Sequence, residues 1–98
     1  MITLTSKIQA IEGKEEELES ILVEFAGKVK SEDGTIVYNL HRIIKKKGCF
    51  LFYERFRDKE AFESHGSTSH MKKLINDIGG LLAKAPEMNF LEEIASIS

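Results

Sequence analysis

Cysteine occurs once in the 98 residues, so no intrachain disulfide can form and no cysteine-based zinc site can be assembled. Neither sign of charge is in excess: 14 Lys and Arg stand against 16 Asp and Glu, a net charge of -2. With no basic stripe interleaved with aromatics, that balance argues against a nucleic-acid partner. The dense basic run Lys45-Lys46-Lys47 precedes Gly48 and reads as a solvated hairpin tip rather than a phosphate patch. Long apolar runs are missing, so no segment is expected to span a bilayer or dock on a membrane. The chain starts without a charged, apolar and cleavable leader, and the expected location is cytoplasmic. Also absent are a phosphate-cradling glycine loop, a dinucleotide fingerprint and the Ser-His-Asp order of hydrolases. A chain of this length suits one domain over residues 1–98, with a thin core to which a partner chain would add stability.

What is present is a hydrophobic period that changes along the chain. Ile2, Leu4 and Ile8 alternate with Thr3, Thr5 and Lys7, which predicts a strand over Met1 to Ala10, with Ser6 interrupting its apolar side. After Gly13, the residues Leu18, Ile21, Leu22, Phe25 and Val29 recur at helical spacing. Glu15, Glu16 and Glu17 open that helix, and Lys28 and Lys30 close it, in accord with the helix dipole. The acidic run is therefore a helix start before it is a metal site. Asp33-Gly34 ends the segment.

Thr35 to Lys46 and Cys49 to Arg57 read as two strands joined at Lys47-Gly48. In the second, Phe50, Phe52, Glu54 and Phe56 share one face, and Leu51, Tyr53 and Arg55 share the other. Cys49 opens this apolar run, where a small buried hydrophobe is the default. Asp58 caps a helix through Ala61, Phe62 and His65. Gly66-Ser67-Thr68 breaks it, and Ser69 starts a continuation striped by Met71, Leu74, Ile75, Ile78, Leu81 and Leu82. Pro86 closes that region, and Met88 to Ile97 reads as the last strand. The order β-α-β-β-α-β defines an α+β, ferredoxin-like layout, a four-stranded antiparallel sheet with its helices on one face. Leu51 and Tyr53 on the other face would stay wet unless a second copy packed there, which predicts a homodimer.

The run Phe52-Tyr53-Glu54-Arg55-Phe56-Arg57-Asp58-Lys59-Glu60-Ala61-Phe62-Glu63-Ser64-His65, continued by Gly66-Ser67-Thr68-Ser69-His70-Met71-Lys72, resembles the antibiotic biosynthesis monooxygenase family. The shared pattern is a strand ending in Glu-x-aromatic, an acidic helix start, a His about one helix further on, and then a Ser-His-Met step. Gly34 and Tyr38 fit it as well, and element order and length agree over nearly the whole chain. The resemblance implies a dimeric α/β barrel with a pocket in each subunit between sheet and helices. The family includes cofactor-independent monooxygenases of quinols and polycyclic phenols, haem-degrading enzymes, and an isomerase of phosphorylated autoinducer-2. Where the haem degraders carry Asn, Trp and an axial His, this sequence has Ser6, Phe56 and Ile75, so haem is not expected. Neither flavin nor metal is expected.

Glu54 stands among phenylalanines on the face to be covered, where a carboxylate needs a partner or a proton. His65 on the covering helix is the obvious partner, either as a proton shuttle in a pocket or as a hydrogen bond that pins helix to sheet. Ser69 and His70, at a helix start, could bind an anion or simply cap the helix. A metal held by His65 and His70 lacks a third ligand. Tyr38, Asn39 and His41 lie on the second strand, and either of its faces could meet a pocket. The reading that follows is an enzyme oxidising a small quinol or phenol with O2. His65 and Glu54 would be its catalytic pair, with Tyr38, Phe52, Phe56, Phe62, Ser69, His70 and Met71 around the substrate. The alternatives are an isomerase of a small phosphorylated sugar-like signal, using Ser69 and His70, and a non-catalytic ligand-binding or stress-response dimer with a closed, dry core.

Overall fold

A computed structural model describes residues 1–97, and its elements follow the periods of the sequence. Strand β1 (Ile2–Gln9) leads to helix α1 (Glu15–Lys28) and a single 3-10 turn (Val29–Ser31). Strands β2 (Thr35–Arg42) and β3 (Cys49–Phe56) follow, then helices α2 (Lys59–Gly66) and α3 (Ser69–Ile78), and finally β4 (Glu87–Leu91). The antiparallel sheet has the order β2-β3-β1-β4, the ferredoxin-like arrangement. No helix among the described residues is long and apolar enough to cross a membrane.

The register explains which side chains face the helices. Ser6 lies opposite Phe52 and Leu4 opposite Glu54, while Tyr38 lies opposite Glu54 from the other side. Directly opposed residues point to the same face of a pleated sheet. Ile8, Leu4, Phe50, Phe52, Glu54 and Phe56 are all buried there beneath the helices. α1 contributes Leu18, Leu22 and Phe25, with Val29 just beyond it, as its spacing predicts. α3 adds Leu74 and Ile78.

Several boundaries differ from the sequence reading. β2 stops at Arg42 instead of Lys46, because residues 43–48 close on themselves: the Lys46 amide donates to the Ile43 carbonyl at 3.1 Å and the Cys49 amide to the Lys46 carbonyl at 3.1 Å. Lys45 and Gly48 both take positive φ in this loop, so the turn is longer than the two residues Lys47-Gly48. β4 ends at Leu91, not Ile97, because Leu91 already pairs with Thr3 and β1 has almost no residues left to extend the ladder. α3 is capped by the Thr68 hydroxyl, which accepts from the Met71 amide at 3.1 Å, and not by Ser69. The helix ends before Gly79-Gly80. Leu81 and Leu82 then run beside the end of β1, where Ala10 bridges Leu82.

The Asp58 cap on α2 is present: its carboxylate accepts from the Ala61 amide at 2.8 Å. This seats Ala61 on Gly34, so closely that a Cβ added to Gly34 would overlap that of Ala61. Gly34→Ala should therefore lift α2 off the sheet and cost roughly 1–3 kcal/mol, measured by urea unfolding. Adding Ala61→Gly should make the double variant less destabilised than the sum of the two single changes.

Candidate functional site

A cavity of about 390 Å³ lies between the covered face of the sheet and helices α2 and α3. The sheet supplies Ser6 and Ile8, Tyr38, Phe52 and Glu54, and Met88; the helices supply Phe62, His65, Met71, Leu74, Ile75 and Ile78. Glu63, Gly66 and Pro86 complete the lining. Wider grooves along the Lys45–Lys47 loop and beside Ser69 and His70 are lined mainly by charged and polar side chains on the surface. The cavity between the layers is of the size and apolar character that suit a small organic molecule.

Its origin is legible residue by residue. Ser6 is the small residue in the β1 alternation, and half-buried there it takes less room than the Leu4 and Ile8 side chains on either side of it. α2 and α3 are separate helices because Thr68 ends one arrangement and caps the next, so their apolar stripes meet the sheet at different places. On β2 the cavity side is that of Tyr38. Asn39 and His41 pair with Tyr53 and Leu51 and lie on the opposite face of the sheet.

Two carboxyls of this region, Glu54 and Glu32, are largely withdrawn from solvent, whereas Glu63 at the rim is exposed. Glu54 is 4 % exposed, and burial pushes its pKa from the ordinary 4.5 up to about 7; the negative charge of Glu32 adds to the rise and a hydrogen bond with Ser6 opposes it. Such a group can take or release a proton near neutral pH. Tyr38 is pushed strongly upward, by burial first and then by the charges of Glu54 and Glu32, so its phenol remains a hydrogen-bond donor. Its ring stacks at a tilt over Phe52, with centroids 4.8 Å apart, and lies 5.2 Å from the His65 ring.

The partner expected for His65 was Glu54, but the carboxylate bonded to it is Glu32. His65 Nδ1 lies 2.7 Å from Glu32 Oε1, and His70 Nε2 lies 2.5 Å from Glu32 Oε2. The Thr35 hydroxyl donates to Oε1 as well, at 2.9 Å. Glu32 follows the 3-10 turn at the end of α1, a place where an acid in the sequence looks like one more solvated turn residue. No periodicity marks it, and only the packing of α2 and α3 against that turn encloses it.

Of the residues expected around a substrate, Tyr38, Phe52, Phe62 and Met71 line the cavity together with Glu54 and His65. Phe56 is fully buried below it, between Leu4 and Ala61, with its ring 4.9 Å from that of His65. Ser69 lies outside, on the surface groove. His70 is also outside the cavity, because its imidazole is turned onto Glu32. Ile75, expected where the haem degraders carry their axial ligand, lines the cavity with an aliphatic side chain. No group of three or more potential ligands is placed to hold a metal among the described residues.

A four-stranded antiparallel sheet in the order β2-β3-β1-β4, with its helices on one face, places the chain in the ferredoxin-like α+β class. The chain belongs to the antibiotic biosynthesis monooxygenase family, whose pattern it matches over residues 1–77. It is 28% identical over 87 residues to the uncharacterized protein sll1783 of Synechocystis, an alignment that covers 89% of this chain and 59% of that protein. The chain thus spans about three fifths of the length of that relative. PA3566 of Pseudomonas aeruginosa has the same fold, with a TM-score of 0.90 and 29% identity over 96% of this chain and 94% of its own. Rv0793 of Mycobacterium tuberculosis superposes with a TM-score of 0.89, covering 99% and 98% of the two chains; at 20% identity it speaks for the fold alone.

The raised pKa of Glu54 makes stability depend on pH. Between about pH 4.5 and pH 7 the folded protein keeps a proton that the unfolded chain has released, so this contribution is complete below pH 4.5 and is lost as the pH rises through 7. Glu54→Gln should remove the dependence and gain up to about 3 kcal/mol relative to the parent at pH 8. Thermal melts at pH 5 and pH 8 check it: the melting temperature of the parent should fall by more than that of the variant.

Proposed function

We propose that the protein is a cofactor-independent monooxygenase of a small quinol or phenol. The observation that carries this reading is an apolar cavity of ligand size in which the polar groups are proton acceptors and donors. Such a substrate is activated by losing a proton, since its anion can give an electron directly to O2. In a quinol, one oxygen atom enters the ring and the other leaves as water; the substrate itself provides the four electrons and no external reductant is required. The protein must then bind a flat apolar ring, take its proton and stabilise the anion. Phe52, Phe62 and Met71 would clasp the ring. His65 and Glu54 would take the proton, and the Tyr38 phenol would donate a hydrogen bond to the oxyanion.

An isomerase of a phosphorylated sugar has less support. Neither Lys nor Arg is among the cavity's lining residues, and Glu54 and Glu63 would repel a phosphate. Ser69 and His70, the anion site that reading needs, stand outside. A purely structural role suits a filled core, whereas this one is open between its layers. The test is oxygen consumption over a panel of quinols, with turnover expected for at least one of them. His65→Gln, folded as judged by its melt, should lower that rate by about 10²–10⁴. Full activity in the folded variant would remove His65 from the mechanism.

The same reading includes a homodimer through the bare face of the sheet. Leu51 and Tyr53 are half-buried on that face with no helix over them, and beside them Arg55 has a buried Nε with no hydrogen-bond acceptor among the described residues. A second copy would cover the apolar groups and could supply the acceptor. Light scattering at micromolar concentration should give two chain masses, and Tyr53→Asp should shift the population to one, because the new carboxylate would be buried in the interface.

A further inference from the structure

Glu32 has no place in the reaction just described, yet it is among the most heavily engaged polar side chains in the molecule. Its carboxylate is only 10 % exposed and accepts from three groups on three elements: Thr35 of β2, His65 of α2 and His70 of α3. The turn that carries it is already closed without the histidines. The Glu32 amide donates to the Val29 carbonyl at 3.0 Å, the Thr35 amide donates to the Glu32 carbonyl at 3.4 Å, and the Thr35 hydroxyl reaches back to Oε1. Closing the turn therefore does not explain why both imidazoles are aimed at one carboxylate.

A carboxylate can only accept, so the imidazole nitrogens facing it carry their protons. For the neutral imidazole of His65 that selects the Nδ1–H tautomer, in which Nε2 has a bare lone pair. His65 itself is 4 % exposed and lines the cavity, and its ring is packed between Phe56, Tyr38 and Phe25, with centroids 4.9, 5.2 and 6.0 Å away. Nδ1 being occupied, Nε2 is the nitrogen left to meet a ligand. His70, 14 % exposed, grips the other carboxylate oxygen from the solvent side and keeps Glu32 from rotating away.

We propose that Glu32 is the positioning residue of the cavity: held from outside by His70, it fixes His65 as the Nδ1–H tautomer and so presents Nε2 as the base. This rests on the oxidation reading only for the identity of the reaction; the tautomer is a property of the protein alone. The step is a single proton transfer. The substrate hydroxyl gives its proton to Nε2, the O–H electron pair remains on the substrate oxygen, and the imidazolium that forms is balanced by Glu32, so no unpaired positive charge is created beneath the helices. Glu54 stays a separate acid–base group, coupled to this one through the charge of Glu32.

Side-chain proton–nitrogen correlation spectra of the whole chain, recorded at about pH 9 where ordinary imidazoles are neutral, test the tautomer directly. His65 should be Nδ1–H and His70 Nε2–H; an Nε2–H signal for His65 overturns the proposal. Those spectra need no variant, so they decide the point even if a substitution at Glu32 unfolds the chain. In folded Glu32→Gln, His65 should lose its single tautomer and kcat for a turned-over quinol should fall about 10²-fold or more with KM nearly unchanged. An equal kcat in a well-folded variant would overturn the positioning role. Should no quinol be consumed by the parent protein, the oxidation reading fails, while the spectra still decide which nitrogen of His65 carries the proton.

Discussion

Two carboxyl groups lie under one layer of helices, and the architecture of the site follows from how each is accommodated. A buried carboxylate is costly unless donors surround it or a proton joins it. Glu32 takes the first solution, with a hydroxyl and two imidazoles around it. Glu54 takes the second, since its environment is apolar and offers it chiefly the Ser6 hydroxyl. The two are coupled, because the charge held at Glu32 makes ionisation of Glu54 harder. A fully solvated Glu32 would leave His65 without its anchor and Glu54 with a weaker hold on its proton.

This division of labour places unlike groups on opposite walls of one cavity. Glu54 rises from the sheet and His65 descends from α2, and the space between them is kept apolar by Phe52, Phe62 and Met71. The rings behind His65 leave it little freedom. Phe56, Tyr38 and Phe25 surround it, and Phe56 in turn is held by Leu4 and Ala61 at the seam where α2 approaches Gly34. Packing at that seam thus bears directly on where the imidazole stands. A ferredoxin-like frame common to chains of 20–29% identity can vary such lining residues while keeping its layers, which is why a shared fold leaves the chemistry to the cavity.

The layout of the fold was readable because each element carries its own period. Alternation in β1 and β3, the Leu18-to-Val29 stripe, the Asp58 cap and the Gly66–Thr68 break are local signals, and the structure follows them. The ends of β2 and β4 were not readable, since a strand stops where its neighbour stops offering amides and carbonyls. Lys46 and Ile97 carry no mark of that. Thr68 and Ser69 are equally good caps by type, and only the backbone path selects the first.

For the site, the sequence by itself determined that Glu54 would be an acid in an apolar face, that His65 would lie over it, and that Tyr38, Phe52, Phe62 and Met71 were candidates for the walls. Those statements depend only on which side of a strand or helix a residue occupies. The tertiary structure alone decided that His65 belongs to Glu32, that His70 turns inward to the same carboxylate, and that Phe56 and Ser69 stand clear of the cavity. Glu32 and His65 are 33 residues apart. A hydrogen bond over that separation is set by how α2 and α3 dock on the turn after α1, and no pattern within any one of those segments encodes it.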